Sequence, residues 1–578
     1  MKSILALILL INANLFSQQS PAFKTEFELS NGLKSATYQQ TIDFYQKLAK
    51  TYPEITFKTL GLTDSGFPLN LVIFNADKEF DFDKINQSNK NVILINNGIH
   101  PGEPDGIDAS MMLLRDIVQD KNLKNSFQNI VIAVIPVYNI GGALNRNSTT
   151  RVNQNGPLEY GFRGNARNFD LNRDFIKNDT KNAQSFSKLF HLLKPDVFID
   201  NHVSNGADYQ YTLTHLFTQH NKLGGELGAY LHQTMMPNLL ADLKLKGIEV
   251  TPYVNVYNEV PEVGFSQFMD APRYSTGYTT LFNTLGMMVE THMLKAYKPR
   301  VEATYQLMMS ALNFIKQNGE NIKKIRAKAF IDVLAQKTYP LSWEVDSTKT
   351  STLQFKGFEA SILKSEITGL DRLKYDRTKP FTKPINYYDN FKPDKFVNIP
   401  KAYVIPQGFW PVIERLKRNK VALIPFKNDT SFIVEVYHIS DFKTQNNPYE
   451  GHYLHYKTIV TSSQDTINFK KGDYYVPLQP YSARYVLETL EPSAQDSFFN
   501  WNFFDTILQQ KEGFSPYVFE DLALDILKAN PQLKANFETK KKTDEKFAAS
   551  WYAQLNYIYD NSKYKEQAFL KYPIFRVN

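Results

Sequence analysis

Four short apolar runs, each ending in polar and ionisable residues, limit what the first half of this chain can become. Val92-Ile93-Leu94-Ile95 leads into Asn97-Gly98-Ile99-His100-Pro101-Gly102-Glu103-Pro104-Asp105-Gly106. Residues 130–137 are mostly β-branched and give way to an Asn- and Gly-rich stretch, 139–172. Asp196-Val197-Phe198-Ile199-Asp200 meets Asn201-His202-Val203-Ser204-Asn205-Gly206, and Gly286-Met287-Met288-Val289 ends in Glu290-Thr291-His292. Runs of this kind read as buried strands. Helical periodicity separates them, over 107–118, 183–193, 223–245 with a kink at Pro237, and a closing helix over 299–325. Two earlier runs, 57–61 and 69–74, flank the turn signal Asp64-Ser65-Gly66. Strands alternating with helices up to about Lys328 predict an α/β domain with a parallel or mixed sheet. In such sheets, ligands bind beyond the C-terminal strand edges.

Beyond Lys328 the character changes. Residues 340–500 are rich in Thr, Tyr, Phe, Val and Pro, with short strands such as 432–437 and Pro-containing linkers at 379–384 and 392–393. Part of this segment is expected to form a β-sandwich. Residues 410–416 read as a short helix, and 500–578 return to helical patterns. The expected layout is a signal peptide (1–17), a catalytic domain (22–328), a β-rich accessory domain (335–500) and a helical extension (501–578).

The first residues fit that leader: a basic start, Met1-Lys2, an apolar stretch over 4–16, then Ser17-Gln18-Gln19-Ser20. An uncleaved anchor helix is the alternative, although the stretch is short for a membrane span. No later segment reaches that length, so an exported protein, periplasmic or secreted, with no stable membrane insertion is expected. The absence of Cys rules out disulfides and a lipid-modified cysteine. A net charge of +7 over 578 residues is small, and Lys and Arg are scattered rather than drawn into a stripe, which argues against nucleic acid. The cluster Lys540-Lys541-Lys542 lies near Asp544 and Glu545 and reads as a solvated helix face.

Three strand ends therefore offer ionisable groups: His100 with Glu103, then His202, then Glu290. An imidazole and a carboxylate three residues apart in a tight turn can face one point. Two His and one Glu form a known catalytic zinc set that leaves a fourth position for water. A further carboxylate outside the metal shell can act as general base toward that water.

With these residues in view, the chain resembles the zinc metallocarboxypeptidase family, that of pancreatic carboxypeptidase A and the cytosolic carboxypeptidases. The resemblance spans roughly residues 25–325. It implies a mixed eight-stranded sheet flanked by helices and one Zn2+ held by His100, Glu103 and His202. It also implies that Glu290 is the base. Asn172 and Arg173, within Phe169-Asp170-Leu171-Asn172-Arg173-Asp174-Phe175, would bind the substrate's terminal carboxylate. Arg163, in Arg163-Gly164-Asn165, matches best the arginine that polarises the scissile carbonyl, with Arg146, Arg151 and Arg167 as competitors. No counterpart of the family's flexible-loop tyrosine is assigned; Tyr257, Tyr274 and Tyr278 all lie upstream of Glu290. Arg273 is a candidate for a second anionic subsite. His292 is expected in the outer shell or at the surface, and His215, His220 and His232 at the surface. The implied activity is removal of a C-terminal amino acid from peptide or protein substrates. A zinc amidase or endopeptidase acting on cell-wall peptides is the alternative among hydrolases. An inactive protein whose β-rich half binds glycan or a partner is the alternative outside them.

Overall fold

The computed structural model describes residues 23–578; the expected signal peptide lies outside the described residues. Apolar runs buried on both faces build the central sheet. Its strands are β1 (Ile55–Leu62), β2 (Pro68–Phe74), β3 (Asn91–Asn96), β4 (Ile130–Ile135), β5 (Val197–Ser204), β6 (Leu213–Phe217) and β7 (Val250–Pro252). After the short β8 (Phe265–Ser266) comes the eighth member, β9 (Leu285–His292). The order across the sheet is β1-β2-β4-β3-β5-β9-β6-β7. The pairs β3–β4, β3–β5, β5–β9 and β6–β7 are parallel, while β1–β2, β2–β4 and β6–β9 are antiparallel. This is the mixed eight-stranded sheet expected from the sequence.

Both faces of the sheet are apolar because odd and even residues are both apolar. Val72, Phe74, Ile93, Ile95, Val197 and Ile199 point into one core. Helices Tyr38–Thr51, Asp105–Gln119 and Tyr297–Ala335 cover that core. The first starts in a capping box, in which Thr37 accepts from Gln40 N and the Gln40 side chain accepts from Thr37 N. Such a cap is worth about 1 kcal/mol. Leu71, Ile73, Val92, Leu94 and Phe198 point into the opposite core. The closing helix is longer than expected and carries Pro299 in its first turn, where a missing N–H costs nothing. The helical stretch ending at Leu245 contains a π-turn, Leu231–Met235, directly before the helix Met236–Leu245. Pro237 lies two residues beyond the π-turn, in backbone that is helical on both sides of it.

The second half adds β10 (Thr338–Val345), β11 (Ser351–Lys364), β12 (Asp371–Tyr388) and β13 (Phe391–Asn398). It continues with β14 (Ala402–Ile405), β15 (Ile424–Pro425), β16 (Thr430–Thr444), β17 (His455–Phe469), β18 (Tyr474–Pro477) and β19 (Phe575–Val577). The prolines expected to break linkers sit inside strands instead. Pro380 and Pro384 pair with Phe358 and Gln354 across β11–β12, and Pro393 pairs with Trp343 across β10–β13. Strands β12 and β13 are open on their other side at these positions, and an edge strand tolerates proline because the missing donor would have faced outward.

The expected sandwich is replaced by separate sheets. The six-stranded one, β15-β18-β14-β19-β16-β17, turns Tyr403, Ile405, Tyr437, Ile439 and Val476 into the second core of the central sheet. On its other face, Val404, Val434, Val436, Phe469 and Phe575 form a small cluster drawn from the sheet itself. The core between the two halves is therefore continuous. The helix Trp410–Arg418 belongs to it through Val412, Ile413 and Leu416. Four further helices between Pro516 and Asp560 pack around Phe519, Phe537, Phe547 and Tyr559. No helix among the described residues is long and apolar enough to cross a membrane.

Candidate metal centre and carboxylate pocket

The turn after β3 carries His100 and Glu103, and the helix Asp105–Gln119 starts directly behind it. That helix can approach the sheet because residue 106 is glycine. A Cβ there would lie 2.3 Å from Asn201 Cβ and 2.4 Å from Asn97 Oδ1. β5 is longer than its apolar run and extends through His202 to Ser204. Glu290 on β9 is the register partner of His202, so the two side chains rise from one face of adjacent strands.

His100, Glu103 and His202 converge, and each is 3% exposed. His202 Nδ1 lies 3.2 Å from His100 Nδ1 and 3.2 Å from Glu103 Oε2, and His100 Nδ1 lies 3.3 Å from Glu103 Oε1. A zinc ion with bonds of about 2.0–2.1 Å in tetrahedral geometry needs donors about 3.3–3.4 Å apart. The chemistry of the set fits as well: two imidazoles and a carboxylate, closely spaced and buried.

Each imidazole is held from behind. His100 Nε2 donates to Asp170 Oδ1 at 2.9 Å, and His202 Nε2 donates to Asp200 Oδ2 at 2.8 Å. A carboxylate on the outer nitrogen fixes the tautomer and leaves Nδ1 free for a cation. Neither aspartate was among the residues singled out from the sequence. Asp200 carries a signal, since it precedes His202 by two on a strand and so shares its face. Its Oδ2 also accepts from Ser275 Oγ, and its Oδ1 accepts from Asn96 Nδ2.

The electrostatics follow from burial among these partners. Burial opposes ionisation of Glu103, but Arg151 and His100 outweigh it and hold the carboxyl well below its ordinary value. The same contest, won by His100, Arg163 and Arg173, holds Asp170 low. Burial also opposes the charged form of His202, yet Asp200, Glu103 and Glu290 raise its pKa well above the usual imidazole value. A site that stabilises a proton among these donors favours positive charge, as a metal site must. Glu290 is pushed up to about 8, first by burial and then by Glu103 and Asp200, with His202 and Arg163 pulling the other way.

Two guanidinium groups reach the centre. Arg151 Nη1 lies 2.8 Å from Glu103 Oε1. Arg163 is half-exposed; its Nη2 lies 2.9 Å from Asp170 Oδ2, and its Nη1 lies 3.4 Å from His100 Nδ1. Both come from the long irregular stretch after β4, which is laced to the His100 turn. Gln154 Nε2 donates to Gly102 O, and Gly161 N donates to Pro101 O. The other two competitors lie elsewhere. Arg146 bonds Ser35, and Arg167 lies over the Phe169 ring and near Asp64.

A cavity of about 240 Å³ opens over the centre. Glu290, Asn172, Arg173, Arg151 and Arg163 line it, together with Leu216, Met288, Phe268 and Tyr274. Asn172 Oδ1 accepts from Ser275 N, which leaves its NH2 as the end able to donate to a ligand. Arg173 lies with its guanidinium carbon 4.5 Å from the centre of the Tyr274 ring, and its Nη1 bonds Asn172 O. Tyr253 and Tyr257, hydroxyl to hydroxyl at 2.7 Å, also line the cavity. Tyr274 lines it too, whereas Tyr278 is buried in the second core.

Arg273 does not form an anionic subsite. Its guanidinium is neutralised by Asp496, at 2.6 Å from Nη2, and sits over Trp501 and Tyr449. His215 is buried in β6 rather than at the surface, and burial pushes its imidazole down to about 3. His292 is also fully buried, stacked at 4.0 Å on Tyr209 and 3.5 Å from Asp208. His220 and His232 stack on each other at 4.0 Å, beside Asp389.

Residues 41–195 match the family model described as zinc carboxypeptidase. That span includes His100, Glu103, Arg163, Asn172 and Arg173, and ends before His202 and Glu290. Carboxypeptidase 2 of Trichophyton equinum is 25% identical over 256 residues, which are 41% of this chain and 44% of that protein. Carboxypeptidase 2 of Trichophyton rubrum is 22% identical over 254 residues, with the same coverage. The chain thus spans under half the length of the curated relatives it matches. A metallo-carboxypeptidase structure from Burkholderia cenocepacia aligns with a TM-score of 0.37 at 15% identity, over 49% of this chain and 70% of that one. The resemblance drawn from the motifs is borne out by the family match and the curated relatives.

Proposed function

Taking residues 41–195 as the zinc carboxypeptidase segment they match, we propose that this protein is an exported zinc-dependent carboxypeptidase that removes the C-terminal residue from peptides. One observation carries the reading. Three buried donor atoms stand at tetrahedral spacing beside Glu290, in a cavity that Asn172 and Arg173 also line.

His100, Glu103 and His202 would hold the zinc ion. When bound, zinc supplies Lewis acidity toward a carbonyl and brings the pKa of a water down to about 7. Arg173 and the NH2 of Asn172 grip the terminal carboxylate of the peptide, the guanidinium by paired hydrogen bonds. Leu216, Met288 and Phe268 give the last side chain an apolar surround. Glu290 takes the proton of the attacking water and delivers it to the leaving amine. For that it must start ionised, and a cation beside His202 pulls its raised pKa back down. Arg163 faces the cavity from the His100 side, where a guanidinium stabilises the oxyanion that forms as water attacks. Arg151 is already engaged by Glu103 and serves to keep that ligand charged and aimed.

An interior peptide bond offers Arg173 no carboxylate, which favours an exopeptidase over the endopeptidase alternative. Hydrolysis of a blocked dipeptide, with a free and with an amidated C-terminus and with and without chelator, tests both parts. Rapid cleavage of the free acid alone, abolished by chelator, is expected. Equal rates on the two substrates would reject the exopeptidase, and indifference to chelator would reject the metal. Export rests on the leader at residues 1–17, and the N-terminus of the mature protein, read by mass spectrometry, tests it.

A further inference from the structure

Ten residues join β16 to β17; several are exposed, but their tip reaches back to Asp170 beside the metal centre. At their tip, Tyr449 and His452 exchange backbone hydrogen bonds, Tyr449 N to His452 O at 2.7 Å and His452 N to Tyr449 O at 3.1 Å. Glu450 and Gly451, the two residues between them, both have positive φ, 50° and 81°. Positive φ at both central positions is the signature of a type I′ turn, which favours Asn-Gly, Asp-Gly or Gly-Gly. Gly451 meets that demand and also a steric one, since a Cβ would lie 3.2 Å from the Phe169 ring. Glu450 does not meet it. A glutamate in the left-handed region is held there at a cost, and such outliers gather where function needs the side chain.

The carboxylate of Glu450 does have an employment. Its Oε2 accepts from Asp170 N at 2.9 Å, across 280 residues of sequence. Asp170 links the components of the centre. Its Oδ1 accepts from His100 Nε2 and from Asn172 N, and its Oδ2 accepts from Arg163 Nε. It also caps the short helical turn Leu171–Arg173. The anchoring of this segment continues on both sides. His452 Nε2 and Arg415 Nη2 both bond Asp179, each at 2.7 Å, and Asp496 accepts from Arg273 N, one residue before Tyr274.

The geometry points to Glu450 as a positioning residue: the hairpin of the C-terminal half fixes Asp170, and through it the metal ligand His100 and the carboxylate-binding pair Asn172 and Arg173. The inference rests on the carboxypeptidase reading above and adds to it that the second half completes the catalytic site.

Two variants separate positioning from folding. Glu450→Asn suits the turn better than the native residue but is too short to reach Asp170. Glu450→Gln keeps an oxygen that can accept from Asp170 N. In the full chain, zinc affinity by chelator competition, KM for a blocked dipeptide with a free carboxylate, and the unfolding midpoint are measured together. For Glu450→Asn, zinc affinity falls and KM rises, each on the order of ten-fold as for other outer-shell partners, while the midpoint holds or rises. Glu450→Gln stays close to the native protein in all three. Unchanged zinc affinity and KM in Glu450→Asn overturn the inference, and so does a loss that tracks a lowered midpoint. If the native protein hydrolyses no peptide, the carboxypeptidase reading fails instead, and zinc affinity alone still decides the place of Glu450.

Discussion

His100 Nδ1 and His202 Nδ1 face each other at 3.2 Å, each with its outer ring nitrogen on a carboxylate. Two lone pairs that close repel unless something positive sits between them. The arrangement is therefore stabilised by what it binds. Zinc at a thousand-fold excess over its Kd is expected to add about 4 kcal/mol to the folded state. A rise in unfolding midpoint on adding zinc, reversed by chelator and absent in His100→Ala, is the measurement. An equal rise in His100→Ala would move the metal elsewhere.

Glu290→Gln keeps the shape of the cavity floor and removes the proposed base. Turnover is expected to fall by roughly 10²–10⁴-fold, the usual weight of a general acid–base group. Zinc content, read by elemental analysis after dialysis, stays at the native level. Loss of metal from this variant would make Glu290 a ligand.

Arg173→Ala is expected to raise KM for free-carboxylate substrates by about ten- to hundred-fold, the loss of a charge-assisted pair. Amidated substrates, which never used the contact, keep their rate. An equal penalty on both would deny Arg173 the terminal carboxylate.

The two guanidinium groups at the centre have separable losses. Arg163→Ala should lower kcat by about 10²–10³-fold with zinc affinity intact, as when an oxyanion donor is removed. Arg151→Ala frees Glu103 from its 2.8 Å partner and should weaken zinc binding first. Paired kinetics and chelator competition on both variants decide between them; a reversed pattern exchanges the roles.

His191 joins the two halves. Its Nδ1 bonds Tyr481 OH at 2.8 Å and its Nε2 bonds Asn419 Oδ1 at 3.2 Å. Burial pushes its pKa down to about 3. The unfolded chain, with a pKa of about 6.5, then binds a proton that the folded chain refuses, so stability falls as pH drops from about 6.5 toward 3. His191→Gln removes that proton from the balance. Denaturant unfolding at several pH values between 4 and 5.5 should show a slope shallower by about 1.4 kcal/mol per pH unit than in the native chain, with the difference fading above pH 6.5. An unchanged slope would mean that His191 is not buried as a neutral group.

The sequence made the α/β half legible because its strands are buried on both faces. Val92 to Ile95 and Val197 to Ile199 are apolar at every position, and the change of character after each is abrupt. His100 and Glu103 stand out because both fall in one short turn. Arg273 reads as a free cation because its partner, Asp496, is 223 residues away, and no local pattern announces a salt bridge of that reach. His215 reads as a surface residue because a strand of five residues, β6, is too short to declare itself by periodicity. The prolines of β12 and β13 look like breaks until the sheet is known to leave those edges open. Glu450 was invisible for the same reason as Asp496: docking between distant segments is a property of shape, not of spacing.

His202 and Glu290 are register partners on parallel strands, so their separation is set by the backbone ladder at about 4.8 Å between strands. Loops contribute nothing to that interval. Side chains that line the cavity without bonding the donor set, such as Phe268 and Tyr257, are therefore open to change without moving this pair. A library randomised at such positions, with the His100 turn, Arg163 and the 449–452 hairpin left intact, keeps a floor that will not drift.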